Sequence, residues 1–274
     1  NMVLQRDKPI TIWGWAPVGS EVKVKLGELS ANAKAEGKKG KWQATFDAQP
    51  ANSKGQELVV KAGEAVIRME NILIGDLWVM NGQSNMAFGL RGVYQAQFEA
   101  SMAHLPLLRR IQINSYAESE HVETDLEEKD LNGIDPDKNW KVVTPEVAMN
   151  MGAIGYVFGS RVQRALQIPI GIIDNSRGGA SMESLVPRHK FKEHPMAAEY
   201  LAWVEKRQAE FDWDEALQKA VEKWEKTLSS QRKKGVAEDK LPPKPTRENL
   251  RSWNVPGRSP SDAASCYNGM FGVF

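Results

Sequence analysis

A change of hydrophobic period near residue 72 constrains the fold of this chain more than any other feature. Before it, short runs alternate apolar and polar residues: Pro9 to Trp15, Glu21 to Leu26, Lys41 to Phe46, Glu57 to Lys61 and Ala65 to Glu70. Turn residues separate them, at Pro17-Val18-Gly19, at Glu36-Gly37-Lys38-Lys39-Gly40 and at Pro50-Ala51-Asn52. Alternation of period two with turn signals at this spacing predicts a small antiparallel β-sandwich over residues 1–71. After it the runs become continuous and apolar, as in Ile72 to Met80 and Ile168 to Ile173. Between these runs, Ile154, Phe158, Val162 and Leu166 recur four apart, which is helical spacing. Buried strands alternating with helices predict a parallel sheet covered on both faces, an α/β domain over residues 72–274.

Lys190 to Lys240 stands apart, with 11 basic and 11 acidic residues in 51. Leu201, Val204 and Phe211, then Leu217, Val221, Trp224 and Leu228, mark two charged amphipathic helices inserted in the α/β domain. They form either a lid over a site or a hairpin packed outside. A proline-rich connector starting at Leu241-Pro242-Pro243 continues to about residue 262. The 36 basic and 35 acidic residues leave a net charge of +1, which argues against a general polyanion binder, nucleic acid included. No apolar run reaches the roughly 18 residues that cross a bilayer. The single cysteine, Cys266, excludes an internal disulfide framework. Asn1 is neither an initiator Met nor the start of a signal peptide, so a trimmed chain or a removed leader is expected.

Two tracts carry chemistry. Asn81-Gly82-Gln83-Ser84-Asn85-Met86 directly follows the strand Asp76 to Met80, and ligands of open parallel sheets bind at the carboxyl ends of strands. A serine there suits nucleophilic attack on a carbonyl, with its own N–H facing the developing oxyanion. The alternative is a structural serine in a loop. Met86 stands where a Gly-x-Ser-x-Gly elbow has its last glycine, which counts against the ordinary α/β-hydrolase elbow. The second tract, Asp174-Asn175-Ser176-Arg177-Gly178-Gly179, follows the strand Ile168 to Ile173. Its paired glycines free backbone N–H groups to face an anion, or serve only as a turn. Neither phosphate-binding glycine pattern is present.

These residues resemble a known family. Gly75-Asp76-Leu77-Trp78-Val79-Met80-Asn81-Gly82-Gln83-Ser84-Asn85-Met86 resembles the first block of SGNH (GDSL-like) hydrolases, most closely their sialate O-acetylesterase branch. Asn1 to Arg6 and Trp13-Gly14 resemble that branch's β-rich leader, and Gly152 to Gly179 its second block. Tyr267-Asn268-Gly269-Met270 resembles a segment shortly before its third block. The resemblance implies a three-layer α/β/α hydrolase domain, Ser84 as nucleophile and oxyanion donors from Ser84 and from Gly178 or Gly179. It also implies an O-acetylated sugar as substrate, no cofactor, and a periplasmic or secreted setting. Arg177 stands where family members often carry Trp, and is a candidate contact to a substrate carboxylate. The third block and the Asp-x-x-His block have no match, so the catalytic histidine is expected beyond Phe274.

None of the four histidines, His104, His121, His189 and His194, has an aspartate three residues before it. None sits in a metal-ligand spacing, so no metal is expected. The acidic run Glu118 to Asp130 lacks the order of a calcium loop and reads as solvated. Trp13, Trp42 and Trp78 fall in strand patterns and are expected in the core. The expected function is a carbohydrate O-acetylesterase acting through an acyl-serine. The alternatives are a carbohydrate-binding protein with a vestigial esterase site and a hydrolase of unrelated small esters.

Overall fold

The computed structural model describes residues 1–112, 140–176, 178–179, 193–247 and 250. Contacts divide them into two units, one holding residues 1–112, 140–176 and 178, the other residues 179, 193–247 and 250.

The first unit is mixed α/β. Its strands are β1 (Val3–Gln5), β2 (Ile10–Trp15), β3 (Glu21–Leu26), β4 (Leu29–Lys34), β5 (Lys41–Phe46), β6 (Asn52–Ala62), β7 (Ala65–Gly82), β8 (Leu105–Gln112), β9 (Lys141–Val143) and β10 (Ile170–Ser176). One large sheet runs β4-β3-β6-β7-β10-β8-β9, with β1 also on β7, and β2 and β5 form a separate two-stranded sheet. Alternation decides which residues go inward. Val22, Val24 and Leu26 of β3 and Trp42, Ala44 and Phe46 of β5 are buried together with Ile10, Leu58, Val60, Ile72 and Ile74. Each large apolar side chain buried this way contributes about 1.5–3 kcal/mol.

Strand β7 is 18 residues long and changes partners along its length. It pairs antiparallel with β6 from Ala65 to Met69 and, past register shifts, at Ile72 and Ile74. It pairs parallel with β1 at Leu73 to Gly75 and parallel with β10 from Asp76 to Gly82. Positions 71–72, where the hydrophobic period changes, lie inside this strand. The join is clamped from β1. Arg6 donates from Nε to Asp76 Oδ1 at 2.8 Å and from Nη2 to Oδ2 at 3.2 Å, and the Leu77 N–H donates to Gln5 Oε1 at 2.9 Å. A bidentate guanidinium–carboxylate pair fixes geometry as well as adding attraction. From Leu77 to Gly82 the other side of β7 has no strand among the described residues, and Trp78 and Val79 are exposed there.

The helices of this unit are α1 (Ser84–Ala87), α2 (Ala96–Ser101), α3 (Pro145–Met149) and α4 (Ala153–Leu166). Thr144 caps α3 by accepting from the Val147 N–H, and Pro145 occupies the first turn, where its missing N–H costs nothing. Helix α4 settles closely on β10 and β8 because Gly155 and Gly159 share one face. A Cβ on Gly159 would lie 3.0 Å from Leu108 and 3.1 Å from Ile172. Tyr156 is buried between them, its hydroxyl donating to the Glu99 carbonyl at 2.8 Å, and burial raises its phenol pKa.

The second unit contains α5 (Pro195–Ala209) and α6 (Trp213–Lys233), the two helices expected from spacing. Asp212 caps α6, accepting from the N–H groups of Asp214 and Glu215. The Trp224 indole donates to the Pro242 carbonyl at 2.8 Å, so the proline-rich stretch runs along α6. No described helix is long and apolar enough to cross a membrane.

Two tryptophans depart from expectation. Trp42 is in the core, but Trp13 is 46% and Trp78 42% exposed. In β2 the inward phase belongs to Ile10, Ile12 and Gly14, which turns Trp13 outward. Trp78 lies beside the open edge of β7, its ring packing edge-on against Phe158 at 4.8 Å.

Gly75 tests the central join. A Cβ there would fall 1.9 Å from the Pro169 carbonyl oxygen, whose acceptor role toward Asp76 N–H starts the β7–β10 pairing. Gly75→Ala is expected to destabilise the protein by about 1–3 kcal/mol in a urea titration, the usual cost of overpacking.

Candidate active site

The two candidate tracts leave neighbouring parallel strands at the same level. In the β7–β10 ladder the last pair is Ser176 with Gly82, preceded by Asn175 with Asn81 and Asp174 with Met80. Adjacent strands lie about 4.8 Å apart. Ser84, two residues past Gly82, and Gly178, two residues past Ser176, therefore both follow the carboxyl ends of these neighbouring strands.

Ser84 is the first residue of α1 and is exposed. Gly82 turns the chain into it with φ of 152°, a value that L side chains rarely adopt. Gln83, at the N-cap, makes no capping bond with its side chain. The Ser84 hydroxyl makes one described hydrogen bond, a long one of 3.4 Å to Gln83 Oε1. The turn is braced from behind. Leu90 N–H donates to the Met151 carbonyl, Ala153 N–H to the Phe88 carbonyl, and Gly89 and Gly152 form an antiparallel bridge. The loop after Ser84 is thus stitched to the start of α4.

On the β10 side, Asp174 and Asn175 are buried. Asp174 Oδ1 accepts from both the N–H and the hydroxyl of Ser176, and Asn175 Nδ2 donates to Asn81 Oδ1 at 3.4 Å. Gly152 fits a narrow space, since a Cβ there would lie 3.0 Å from the Met86 carbonyl oxygen and 3.4 Å from Asp174 Oδ2. Gly178 is exposed, with open space where a Cβ would go. Gly179, in the second unit, is exposed with φ of 81°, a left-handed conformation that favours glycine. Arg177 lies outside the described residues.

The histidines divide by position. His104 precedes β8, and β8 runs parallel to β10, so His104 sits at the amino edge of the sheet, opposite Ser84. At about 3.3 Å per residue the two edges are roughly 30 Å apart. His194 stands at the start of α5 in the second unit. His121, His189, Cys266, the acidic run Glu118 to Asp130 and the Tyr267 to Met270 segment lie outside the described residues. Among the described residues, no three His, Cys, Asp or Glu side chains gather as metal ligands.

One feature of the site unit was missed in the sequence. Arg109 is only 4% exposed and bonds to the side-chain carbonyls of Asn1 and Asn71 rather than to an acid. Burial pushes its guanidinium pKa down. No local pattern flags it, because Leu107-Leu108-Arg109-Arg110 reads as a surface segment.

No family model matches the chain. Curated relatives do. The rat (Rattus norvegicus) sialate O-acetylesterase is 28% identical over 208 residues, covering 70% of this chain and 36% of that protein. The human (Homo sapiens) sialate O-acetylesterase is 27% identical over 198 residues, covering 67% of this chain and 36% of that protein. Among solved structures, a carbohydrate acetylesterase from Xanthomonas citri superposes with a TM-score of 0.58 at 28% identity, covering 68% of this chain and 40% of that one. The chain is similar to sialate O-acetylesterases over about 70% of its length. It spans little more than a third of the length of the curated relatives it matches.

Gly82 is the position where backbone conformation and packing meet. A Cβ at that φ would lie 3.1 Å from Met86 Cβ. Gly82→Ala is expected to cost about 1–3 kcal/mol of stability, the usual price of a strained non-glycine residue. Unchanged chemical denaturation would show that the turn relaxes freely.

Proposed function

We propose that the protein removes acetyl groups from carbohydrate hydroxyls through an acyl-serine intermediate on Ser84. The observation that carries this reading is the pairing of Gly82 with Ser176, which brings Ser84 and the Gly178 turn to one edge of the sheet. The names of the similar proteins, sialate O-acetylesterase and carbohydrate acetylesterase, support the substrate class.

In the proposed reaction the Ser84 hydroxyl attacks the acetyl carbonyl while a base takes its proton. The backbone N–H of Ser84 and that of Gly178 or Gly179 donate to the tetrahedral oxyanion. Its collapse breaks the bond to the sugar oxygen, which leaves as a hydroxyl with the proton returned by the base. Water then attacks the acetyl-serine and releases acetate. The base is a histidine held by an aspartate, as in the family's Asp-x-x-His block, which these 274 residues do not contain. A serine without its base is a weak nucleophile at neutral pH. The fold that suits this chemistry is the three-layer hydrolase domain of the resemblance, with the β-rich leader as a sandwich over residues 1–71. The setting is periplasmic or secreted.

In the full-length protein, Ser84→Ala is expected to abolish acetyl release from an acetylated sugar without moving the thermal midpoint. On a slow ester, mass spectrometry should find the acetyl group on the Ser84 peptide of the unsubstituted protein. Full turnover by Ser84→Ala removes the assignment. Arg177 is proposed to pair with the carboxylate of an acidic sugar. Arg177→Ala should then weaken turnover of acidic acetylated sugars by about tenfold while sparing neutral ones, the loss of one charged contact worth about 1.4 kcal/mol. An equal effect on both rules the pairing out.

A further inference from the structure

The two-stranded sheet β2–β5 has two unlike faces. Its inner face supplies Ile10, Trp42, Ala44 and Phe46 to the core. Its outer face is built from three cross-strand pairs, Thr11 with Thr45, Trp13 with Gln43 and Trp15 with Lys41. Trp13 is 46% exposed and stands edge-on to Trp15, ring centroids 5.3 Å apart. Lys41 Nζ lies 5.9 Å from the centre of the Trp13 ring, at cation–π distance. Neither outer tryptophan serves the core, which Trp42 already fills beneath Gly14. A Cβ on Gly14 would come 3.0 Å from the Trp42 ring.

The end of this face carrying Trp15 is basic. The turn Gly37-Lys38-Lys39-Gly40 is pinned beside it, with Ala16 N–H donating to the Gly40 carbonyl at 2.9 Å. Gly40 is needed there, since its φ is 66° and a Cβ would collide with the Ala16 carbonyl oxygen at 1.9 Å. Lys34, Lys38, Lys39 and Lys41 are all exposed around one acid, Glu36, in a chain whose net charge is only +1. A shallow, open depression lies among them, lined by Lys34, Glu36, Lys41, Trp42 and Gln43.

We propose that this outer face is a docking platform for an acidic polysaccharide, separate from the Ser84 edge. Sugar rings stack on Trp13, their hydroxyls bond to Gln43, Thr11 and Thr45, and their carboxylates meet the lysines of the turn. A protein partner fits poorly, because a stable interface takes about 20–30 residues a side and this face offers six on two strands. Apolar indole flanked by hydroxyl and amide groups matches a sugar, which has an apolar ring face and a polar edge. The excess of lysine selects chains that carry carboxylates.

The test is retardation of the whole chain in native gels cast with polysialic acid, with neutral dextran as control. Retardation by polysialic acid and not by dextran is expected. Trp13→Ala should weaken it about tenfold, Trp13→Phe should keep most of it, and the exposed double change K38E/K39E should abolish it. High salt should reduce it, as expected for screened surface charges. Ser84→Ala should bind as the unsubstituted protein does, so failure of the esterase reading leaves this result standing. Absence of retardation, equal retardation by dextran, or loss in K38E/K39E with none in Trp13→Ala would each overturn the proposal, the last by reducing it to ionic adsorption. Far-ultraviolet circular dichroism of each variant separates lost binding from lost folding.

Discussion

Everything in the site unit depends on β7 continuing as one strand while its partners change. Its first half needs an antiparallel neighbour, β6, and its second half a parallel one, β10. Those two pairings have different hydrogen-bond geometries, evenly slanted in one and alternating in the other. The change is accommodated at Asn71, whose φ is 57°, and by register shifts in β6 between Asn52 and Leu58. Strand β1 then holds the join from outside through Gln5, Arg6 and Asp76. Arg6 and Asp76 are partly exposed, so the pair contributes orientation more than energy. Strand β7 thereby carries the leader's packing directly to the turn that presents Ser84.

That turn is held by several small contacts. Gly82 gives the reversal, Gly152 lets Met86 and Asp174 approach one another, and the Gly89–Gly152 bridge ties the Ser84 loop to α4. Helix α4 is itself located by Gly155 and Gly159 against Ile172 and Leu108. Four glycines, each at a close approach, thus set the distance between the serine loop, the second tract and the helix beneath them. Interiors are packed densely enough that a methyl group added at any of these points must displace a neighbour.

Much of this was legible in the sequence wherever one face of an element is buried and the other wet. Strands β3 and β5 match their alternating runs residue for residue. Helix α4 forms where the four-residue spacing predicts one, but it buries the face of Gly155, Tyr156, Gly159 and Gln163, while Ile154 and Leu166 are exposed. The strand β8 was not legible, because it buries Arg109 and Arg110, and a pattern reader takes charge as exposure. Strand β4 escaped because its inward residues, Leu29, Ala31 and Ala33, are mostly too small to mark a face. The phase of β2 was the subtler miss, since apolar residues occupy both faces and only its partner β5 decides that Trp13 points out. For the site, Gly82 and Ser84 stood out as a motif, but their level with Ser176 is a matter of strand register. Register arises from long-range pairing, which no local window contains.

Exposure at the sheet edge shapes the chemistry that Ser84 can support. Two unit charges 4 Å apart attract by about 1 kcal/mol in water but about 4 kcal/mol at an effective dielectric of 20. Oxyanion donors of the proposed kind therefore gain most of their effect only when water is displaced from the edge. Ser84 and Gly178 are both exposed, while Asp174 and Asn175 just behind them are buried. The buried pair supplies a rigid, hydrogen-bonded floor, and whatever covers the edge during turnover supplies the low dielectric. A bulky sugar ester displaces more of that water than a small one. In the proposed reaction the leaving group thus contributes to the electrostatics of its own departure.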